Sequence, residues 1–288
     1  MLSALTIDLE DYYNASVFDS IYQRHHWPNL ESRVEASTET VLELLAHHHI
    51  KATFFVLGWV AERHQNLVKA VCKAGHEIGS HGFHHELTYS MTRDHYRQDV
   101  RRSKQLLEDL TGSEVVGYRA PSYTITTQSL WALDILVEES YQYDSSIFPI
   151  HHDRYGIPGA ERFPYVRSTA AGKILEFPPS TVRLLRRNLP VAGGAYLRIL
   201  PYAYIRWGLR QITTIERKPA IVYFHPWELD GDQPRVTMGL FSRFRHYTNL
   251  TKMRSKLEHL FADFEFGPVR AVAQSLRLSG AAQFDYGR

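Results

Sequence analysis

Cysteine is nearly absent from this sequence, since Cys72 is the only one in 288 residues. A single thiol excludes both a disulfide framework and a zinc site built from cysteine ligands. Cys72 lies in a helical pattern, LVKAVCKAG, where a lone thiol is usually a small buried apolar group. Any metal ion bound by the chain must therefore be held by histidine and carboxylate side chains.

Long apolar runs and a strong charge are missing as well. No stretch approaches the ~20 consecutive apolar residues of a membrane-spanning helix. The first residues, MLSALTIDLEDYY, carry no basic segment of the kind that begins a signal peptide, so we expect a cytoplasmic protein without a membrane span. The net charge of +2 provides no general attraction for nucleic acid or for an anionic membrane, and no nucleic-acid partner is expected.

What is present is an alternation of short apolar segments with amphipathic ones. The pattern predicts strands at 2–8, 51–57, 76–80, 115–118, 143–145, 174–177 and 220–224, and helices at 32–49, 60–74, 92–110, 127–139, 202–215 and 244–261. Strands that alternate with helices indicate a parallel sheet with crossover helices, closed or nearly closed into a barrel. In such barrels the chemistry lies at the carboxyl ends of the strands, and polar clusters follow four of the predicted strands.

The first cluster consists of Asp8, Glu10 and Asp11, at the end of the first predicted strand. Side chains alternate along a strand, so Asp8 and Glu10 would point to the same side, and Asp11 could turn inward where the strand ends. A solvated loop of helix-capping acids explains the same residues, and for this cluster alone it is the slightly favoured interpretation.

The second cluster is the segment GSHGFHH, in which His81 and His85 are four residues apart. In a helical turn this spacing brings both imidazoles to one ion. The chain has 16 histidines, so chance pairs occur, and the pair gains meaning from a carboxylate at another strand end. Two histidines, one carboxylate and an open water position form a standard catalytic zinc arrangement.

The third cluster, YRAPSY, contains Arg119, which could hold a carboxylate in place and keep it ionised. Pro121 stiffens the turn and could present the backbone N–H of Ser122 to a developing oxyanion. An ordinary structural Arg–Asp pair explains Arg119 nearly as well.

The fourth cluster follows the apolar segment IVYF, where His225 stands at the predicted strand end. A single histidine is more often structural than catalytic. Its position at the mouth of a barrel, beside an aromatic residue, favours a general acid or base.

Taken in order, the four clusters resemble those of the polysaccharide deacetylases of the NodB-homology type, carbohydrate esterase family four. TIDLED corresponds to the acidic first motif of that family, SHGFHH to its His-x-x-x-His metal motif, YRAPS to its arginine motif and YFHPWE to its closing histidine motif. The match extends over roughly residues 2–228. Segments 143–149 and 246–269 resemble the subgroup found with bacterial exopolysaccharide and exosortase systems.

The resemblance implies an α/β fold, namely a distorted (β/α) barrel that often has seven strands, and a divalent metal ion, usually zinc (Zn2+). We expect residues 1–229 to form the barrel. Residues 230–288 would then be a C-terminal helical extension packed on it.

The resemblance also implies roles for single residues. Asp8 would be the general base, Arg119 would orient it, and His225 would be the general acid. Asp144 is a candidate to pair with His225 and keep it protonated. Substrate or oxyanion contacts are expected from Ser122, Tyr123 and Trp227.

The implied metal ligands are His81, His85 and one acid of the first cluster. Many members of the family have two adjacent aspartates in that motif, whereas this chain has Asp8, Glu10 and Asp11. Relatives with an Asp-x-Asp spacing make Glu10 the first choice for the third ligand and Asp11 the second.

The expected activity is metal-dependent removal of the acetyl group from an N-acetylated sugar in an oligosaccharide or polysaccharide, within exopolysaccharide biosynthesis. One alternative is another amidohydrolase on the same scaffold, either allantoinase-like or a deformylase of a lipid-linked amino sugar. The presence of both His81 and His85 argues against an allantoinase-like enzyme. The other alternative, a non-catalytic component of polysaccharide assembly, is disfavoured by the four intact motifs.

Overall fold

The computed structural model describes residues 1–278, so that the last part of the predicted extension, 279–288, lies outside the described residues. The strands of the described chain are β1 (Ser3–Leu9), β2 (Thr53–Val56), β3 (Glu77–Ser80), β4 (Gly117–Tyr118), β5 (Tyr143–Asp144), β6 (Tyr165–Thr169), β7 (Gly172–Glu176), β8 (Thr181–Leu184), β9 (Arg187–Pro190), β10 (Ile221–Phe224) and β11 (Phe266–Gly267). Its helices are α1 (Val34–His47), α2 (Gly58–Arg63), α3 (Gln65–Lys73), α4 (Arg93–Thr111), α5 (Ala132–Glu138), α6 (Gly194–Ile199), α7 (Tyr202–Arg210), α8 (Leu240–Tyr247), α9 (Leu250–Asp263) and α10 (Val269–Leu278).

A mainly parallel sheet forms the centre of the molecule. Its strand order is β10-β1-β2-β3-β4-β5-β7-β6, with β11 also paired to β1. The strands from β10 to β7 in this order run parallel, and β6 pairs antiparallel with β7. All residues of β1 and β2 are buried, which explains why such strands appear in the sequence as short, nearly continuous apolar segments.

The sheet curves until irregular backbone bridges its two sides. After β7, the N–H of Ser180 donates to the carbonyl of Ile221 in β10 at 3.1 Å, and the N–H of Tyr223 donates to the carbonyl of Ala192 at 2.8 Å. Between these two contacts the chain forms the separate β8–β9 hairpin. The closure by isolated hydrogen bonds instead of a full ladder makes the barrel distorted, as predicted.

Two predicted helices are interrupted in the structure. The helix expected at 60–74 is divided into α2 and α3 at His64, whose φ of −118° and ψ of 50° are not helical. The helix expected at 244–261 is divided into α8 and α9, because Asn249 has a left-handed backbone with φ 59°. Apolar periodicity continues across both breaks, so the pattern alone does not reveal them.

The C-terminal part of the described chain joins the barrel. Strand β11 pairs with β1 through Ser3 and Ala4. Helix α10 contributes Val269, Val272 and Ala273 to an apolar cluster that also contains Ala4, Phe55, Tyr143, Leu175 and Ile221. The division at residue 229 stays a prediction. Among residues 1–278, none of the helices is long and apolar enough to cross a membrane.

Candidate active site

Three buried side chains place their ligand atoms together at the carboxyl ends of β1 and β3. The Nε2 atom of His85 lies 3.0 Å from Oε2 of Glu10, and Nε2 of His81 lies 4.0 Å from the same oxygen. All three ligand atoms lie within 4.8 Å of one another. Glu10 and His81 are both 2% exposed, so this is an interior cluster and not a chance grouping on the surface.

The turn that carries the two histidines differs from the expected helical one. Gly82 has φ 70° and His85 has φ 54°, and no helix is present between them in the described chain. Asp99 of α4 fixes the turn, because its carboxylate accepts a hydrogen bond from the N–H of Phe83 at 2.9 Å. A side chain at Gly82 would put its Cβ 2.9 Å from that carboxylate. The two imidazoles therefore meet across a glycine turn and not across a helical turn.

The imidazole of His81 is oriented as a metal ligand requires. Its Nδ1 lies 2.8 Å from the backbone carbonyl of Arg119, which requires the proton on Nδ1 and leaves the Nε2 lone pair free. Such second contacts fix the tautomer of histidine ligands. Burial, the largest effect, lowers the pKa of His81 to about 4, so the ring is neutral at neutral pH.

Glu10 is an anion with one unused oxygen. Burial by itself would raise its pKa, but His85, His225 and His81 outweigh burial and lower the pKa to about 2. Trp227 donates its indole N–H to Oε1 at 3.2 Å, whereas the buried Oε2 has no hydrogen-bond partner in the described chain. An ionised, unsatisfied oxygen that faces two imidazole nitrogens fits a divalent cation, since ligand atoms in a tetrahedral zinc site stand about 3.3 Å apart.

Asp11 does not join these ligands. Its carboxylate accepts hydrogen bonds from the N–H of Tyr12 and from the hydroxyl of Ser32 and the N–H of Arg33. The second choice for the third ligand is therefore wrong in geometry, because Asp11 caps a short helical turn and holds the start of α1. Glu10, the first choice, is the acid whose carboxylate lies beside His81 and His85.

Asp8 and Arg119 form a buried pair beside the ligand cluster. The Nη1 of Arg119 lies 2.6 Å from Oδ1 of Asp8 and 2.8 Å from the hydroxyl of Thr6. Ser145 receives the remaining guanidinium hydrogen bonds, through its carbonyl at 3.2 Å and its hydroxyl at 2.8 Å. Arg119 is completely buried, so it fixes the position of the Asp8 carboxylate.

His225 stands on the other side of Asp8. Its Nε2 lies 3.8 Å from Oδ2 of Asp8 and 3.7 Å from Oε1 of Glu10, and its Nδ1 lies 3.1 Å from Glu228. Burial would lower the pKa of His225, but the hydrogen bond to Glu228 and the charges of Glu10 and Asp8 raise it to about 9. Because this pKa lies above 7, the imidazole of His225 is protonated at neutral pH.

The partner of His225 is Glu228 and not Asp144, so the expected Asp144–His225 pair is wrong. Asp144 accepts a hydrogen bond from the hydroxyl of Ser146 at 2.5 Å and lies beside Glu176, whose pKa is raised well above its usual value by burial and by the charge of Asp144. Ser146 in turn accepts a hydrogen bond from the N–H of Ala120 at 2.7 Å. Through Ser146, Asp144 therefore stabilises the turn after Arg119, and it does not contact the imidazole of His225.

Ser122 and Tyr123 lie in the wall of a pocket of about 470 Å³ that also contains Asp8, Glu10, His81, His85 and His225. Both residues have a left-handed backbone, with φ 52° and 56°, and the Ser122 hydroxyl lies 2.5 Å from that of Ser16. The hydroxyl of Tyr123 is buried without a hydrogen-bond partner in the described chain. Trp227 also lines the pocket, but its N–H is used by Glu10.

Sequence reasoning missed Glu228 and Arg198. Glu228 lies 2.5 Å from Nε of Arg198, and both are buried. The spacing of His225 and Glu228 in HPWE could have identified Glu228, because a side chain three positions later in the sequence can reach back to cap the start of a turn. Arg198 lies in a segment without periodicity, and no local pattern points to it.

Two sequence families match the chain one after the other. The family described as "Polysaccharide deacetylase" matches residues 11–136, and the family described as "Domain of unknown function (DUF3473)" matches residues 145–274. The first range contains both histidines of the ligand cluster and Arg119. The second contains Arg198, His225 and Glu228, so the pocket is assembled from both ranges.

Curated relatives match part of the chain. The peptidoglycan deacetylase of Helicobacter pylori is 31% identical over 119 residues, which is 41% of this chain and 39% of the relative. The peptidoglycan-N-acetylglucosamine deacetylase of Bacillus cereus is 35% identical over 98 residues, 34% of this chain and 36% of the relative. The matches thus span less than half of the length of either relative.

A solved structure shares the fold over the whole chain. It comes from Mycobacterium smegmatis, was solved as a candidate polysaccharide deacetylase, and superimposes with a TM-score of 0.64 at 19% identity, covering 100% of this chain and 93% of its own. The family match covers the motifs SHGFHH and YRAPS, and the fold and the relatives agree with the same resemblance. Residues 11–136, just under half of the chain, match the polysaccharide deacetylase family.

Proposed function

We propose that the chain is a metal-dependent hydrolase that removes the N-acetyl group of an amino sugar in an oligosaccharide or polysaccharide. One observation carries the proposal. A cluster of metal-ligand type, Glu10 with two histidines, lies in the same pocket as a fixed carboxylate, Asp8, and an imidazole with a raised pKa, His225. Metal-assisted amide hydrolysis uses all three functions within a few ångström of one carbonyl group.

The proposed cofactor is a divalent cation held by Glu10, His81 and His85, with zinc as the best fit to two imidazoles and one carboxylate. When bound, such an ion polarises the acetyl carbonyl as a Lewis acid and makes water a better nucleophile. Trp227 orients Glu10, and the carbonyl of Arg119 orients His81, so the ligand set is preorganised by its surroundings.

The two proton-transfer roles follow from the charges of the groups. Asp8 is the proposed general base, since Arg119 holds it 2.6 Å away as an ion pair and the free oxygen faces the pocket side where His225 lies. His225 is the proposed general acid, because the raised pKa keeps a proton on the imidazole. Donation of that proton lets the sugar nitrogen leave as a neutral amine.

The oxyanion that forms at the acetyl carbon needs a donor besides the ion. The backbone N–H of Ser122, in its left-handed turn after Pro121, is the proposed donor. Tyr123 and Trp227 form apolar wall next to it and are the proposed contacts of the sugar.

The substrate class is proposed from the relatives. Both curated relatives are described as acting on peptidoglycan, and one as acting on its N-acetylglucosamine. An N-acetylated amino sugar is the unit common to such polymers. A role in exopolysaccharide biosynthesis and a cytoplasmic location stay predictions.

Acetate release from N-acetylhexosamine oligomers tests the proposal. The wild-type chain with zinc should release acetate, and Asp8→Asn and His81→Ala should each lower the rate by at least about a hundredfold. His47→Ala, a histidine on the exposed end of α1, is the matched control and should retain the wild-type rate. Undiminished turnover in Asp8→Asn or His81→Ala would overturn the assigned roles.

A further inference from the structure

Helix α8 turns its apolar side chains to solvent. Leu240 is 84% exposed, Phe241 76% and Phe244 54%. Their spacing of i, i+1 and i+4 puts them on one face of the helix. Three large apolar side chains exposed side by side on one short helix indicate an interaction surface, whereas singly scattered ones would not.

The other face of α8 is held by a polar residue. His246 is buried, its Nε2 lies 2.7 Å from Oε1 of Gln233, and its ring stacks on Trp227 with 4.6 Å between centroids. The helix is thus attached to the pocket wall through its histidine. An amphipathic surface helix usually buries its apolar face and exposes its polar one, and α8 does the opposite. The apolar residues Leu240, Phe241 and Phe244 are therefore not explained by packing within the fold.

Positive charge surrounds the exposed apolar face. Residues 233–257 contain six lysines and arginines and no acidic residue, and Arg235 and Arg243 are exposed. Asp19 and Asp153 also line the pocket, and Asp19 lies 3.9 Å from Arg154. Positive charge is thus concentrated in the segment that contains α8, and the small net charge of the whole chain conceals this.

We propose that α8 docks on an anionic lipid surface. Leu240, Phe241 and Phe244 would enter the boundary between headgroups and acyl chains, while Arg235 and Arg243 bind headgroup phosphates. Only an occupant that is both apolar and anionic satisfies both sets of side chains. A second copy docked through α8 would bring arginines against arginines, and a neutral sugar polymer would leave the guanidinium groups without a counter-charge.

The docked orientation brings the pocket to the lipid. Phe241, Ser242 and Arg245 of α8 line the same pocket as Asp8 and His225, so its mouth would open at the level of the headgroups. This position suits an amino sugar carried on a membrane lipid, an extension that rests on the proposed function. The docking itself does not depend on catalysis.

Co-sedimentation of the full chain with vesicles tests the docking. The wild-type protein should bind vesicles of phosphatidylcholine with phosphatidylglycerol, and should bind pure phosphatidylcholine far more weakly. Leu240→Ser/Phe244→Ser should reduce binding about tenfold or more, and Arg243→Gln should reduce it several-fold at low salt and little at high salt. The control is Ile215→Ser, which removes a side chain 68% exposed that precedes the amino end of β10, away from the pocket, and it should bind like wild type.

Three outcomes would overturn the proposal. They are absence of binding to anionic vesicles, equal loss in Ile215→Ser, and a wild-type dimer that Leu240→Ser/Phe244→Ser converts into a monomer. Acetate release from soluble oligomers separates this proposal from the enzymatic one, because Leu240→Ser/Phe244→Ser should keep the wild-type rate. If the double variant loses vesicle binding but still releases acetate, the proposed function is not contradicted. If the wild-type protein binds vesicles but releases no acetate, only the proposed function is contradicted.

Discussion

Glu228 joins the buried charges behind His225. Its carboxylate lies 2.5 Å from Nε of Arg198 and 3.1 Å from Nδ1 of His225, and both Glu228 and Arg198 are essentially inaccessible to solvent. Burial would raise the pKa of Glu228, but Arg198 and His225 outweigh burial and lower it to about 2. The carboxylate is therefore ionised at any ordinary pH, and it neutralises two cations at once.

Removing the negative charge of Glu228 should destabilise the fold. We expect Glu228→Gln to lower the free energy of unfolding by about 3 kcal/mol or more, because it leaves the guanidinium of Arg198 buried without its anion. Urea denaturation of the two proteins measures the difference. The matched control is Glu258→Gln, which breaks the exposed pair with Arg254 and should cost about 0.5 kcal/mol or less. An equal decrease in the free energy of unfolding in both variants would show that the buried pair contributes no more to stability than the exposed one.

At the level of single residues, the sequence predicted which side chains lie in the site better than it predicted which side chains they contact. Five polar residues at the ends of predicted strands line one pocket, and Arg119 is paired with one of them, Asp8; the five are Asp8, Glu10, His81, His85 and His225. Strand ends converge in a barrel, so their position in the sequence is enough. The choice between Glu10 and Asp11 depends on groups far apart in the sequence, such as Ser32, and no local pattern specifies it. The partner of His225 is local, since Glu228 comes three positions later, but Arg198, which holds Glu228, lies in a distant segment.

Among the elements, those with strong end signals were predicted best. Helix α4 begins after Thr92, whose hydroxyl accepts the N–H of His95, and ends at Gly112 with φ 62°, as its cap and glycine predict. The hairpin β8–β9 and helix α6 were missed. The hairpin turn uses Leu185 and Arg186 with positive φ in place of the usual glycine or asparagine, so its sequence carries no turn signal.

Two glycines give a test at this scale. Gly117 of β4 leaves room for the ring of Tyr143, and a Cβ there would lie 2.1 Å from Cζ of that ring. We expect Gly117→Ala to lower the free energy of unfolding by about 2–3 kcal/mol, because the ring is buried and hydrogen-bonded to Glu77 and cannot move freely. Denaturant titration provides the measurement.

Gly112→Ala is the comparison for that variant. Nothing lies within 4 Å of an added Cβ at Gly112, so only its left-handed backbone is penalised, at about 1 kcal/mol. A larger loss for Gly112→Ala than for Gly117→Ala would contradict the packing of β4 against β5.

For the whole molecule, closure of the barrel brings the end of the first strand and the second matched sequence range into one pocket. Glu10, at the end of β1, receives a hydrogen bond from Trp227, 217 positions later, while β10 and β11 both pair with β1. The barrel class follows from the alternation of strands and helices. Its irregular closure between β7 and β10 does not, because single hydrogen bonds at Ser180 and Tyr223 leave no periodic trace in the sequence.

The central claim is that one divalent ion is bound by the three converging ligands. Anomalous X-ray diffraction at the zinc edge, from crystals of the full chain grown with zinc, tests it most directly. We predict one strong peak, about 2.0–2.2 Å from a carboxylate oxygen of Glu10 and from Nε2 of His81 and His85. A chain that crystallises with zinc and shows its peak at other ligands, or shows none among these three, would contradict the account.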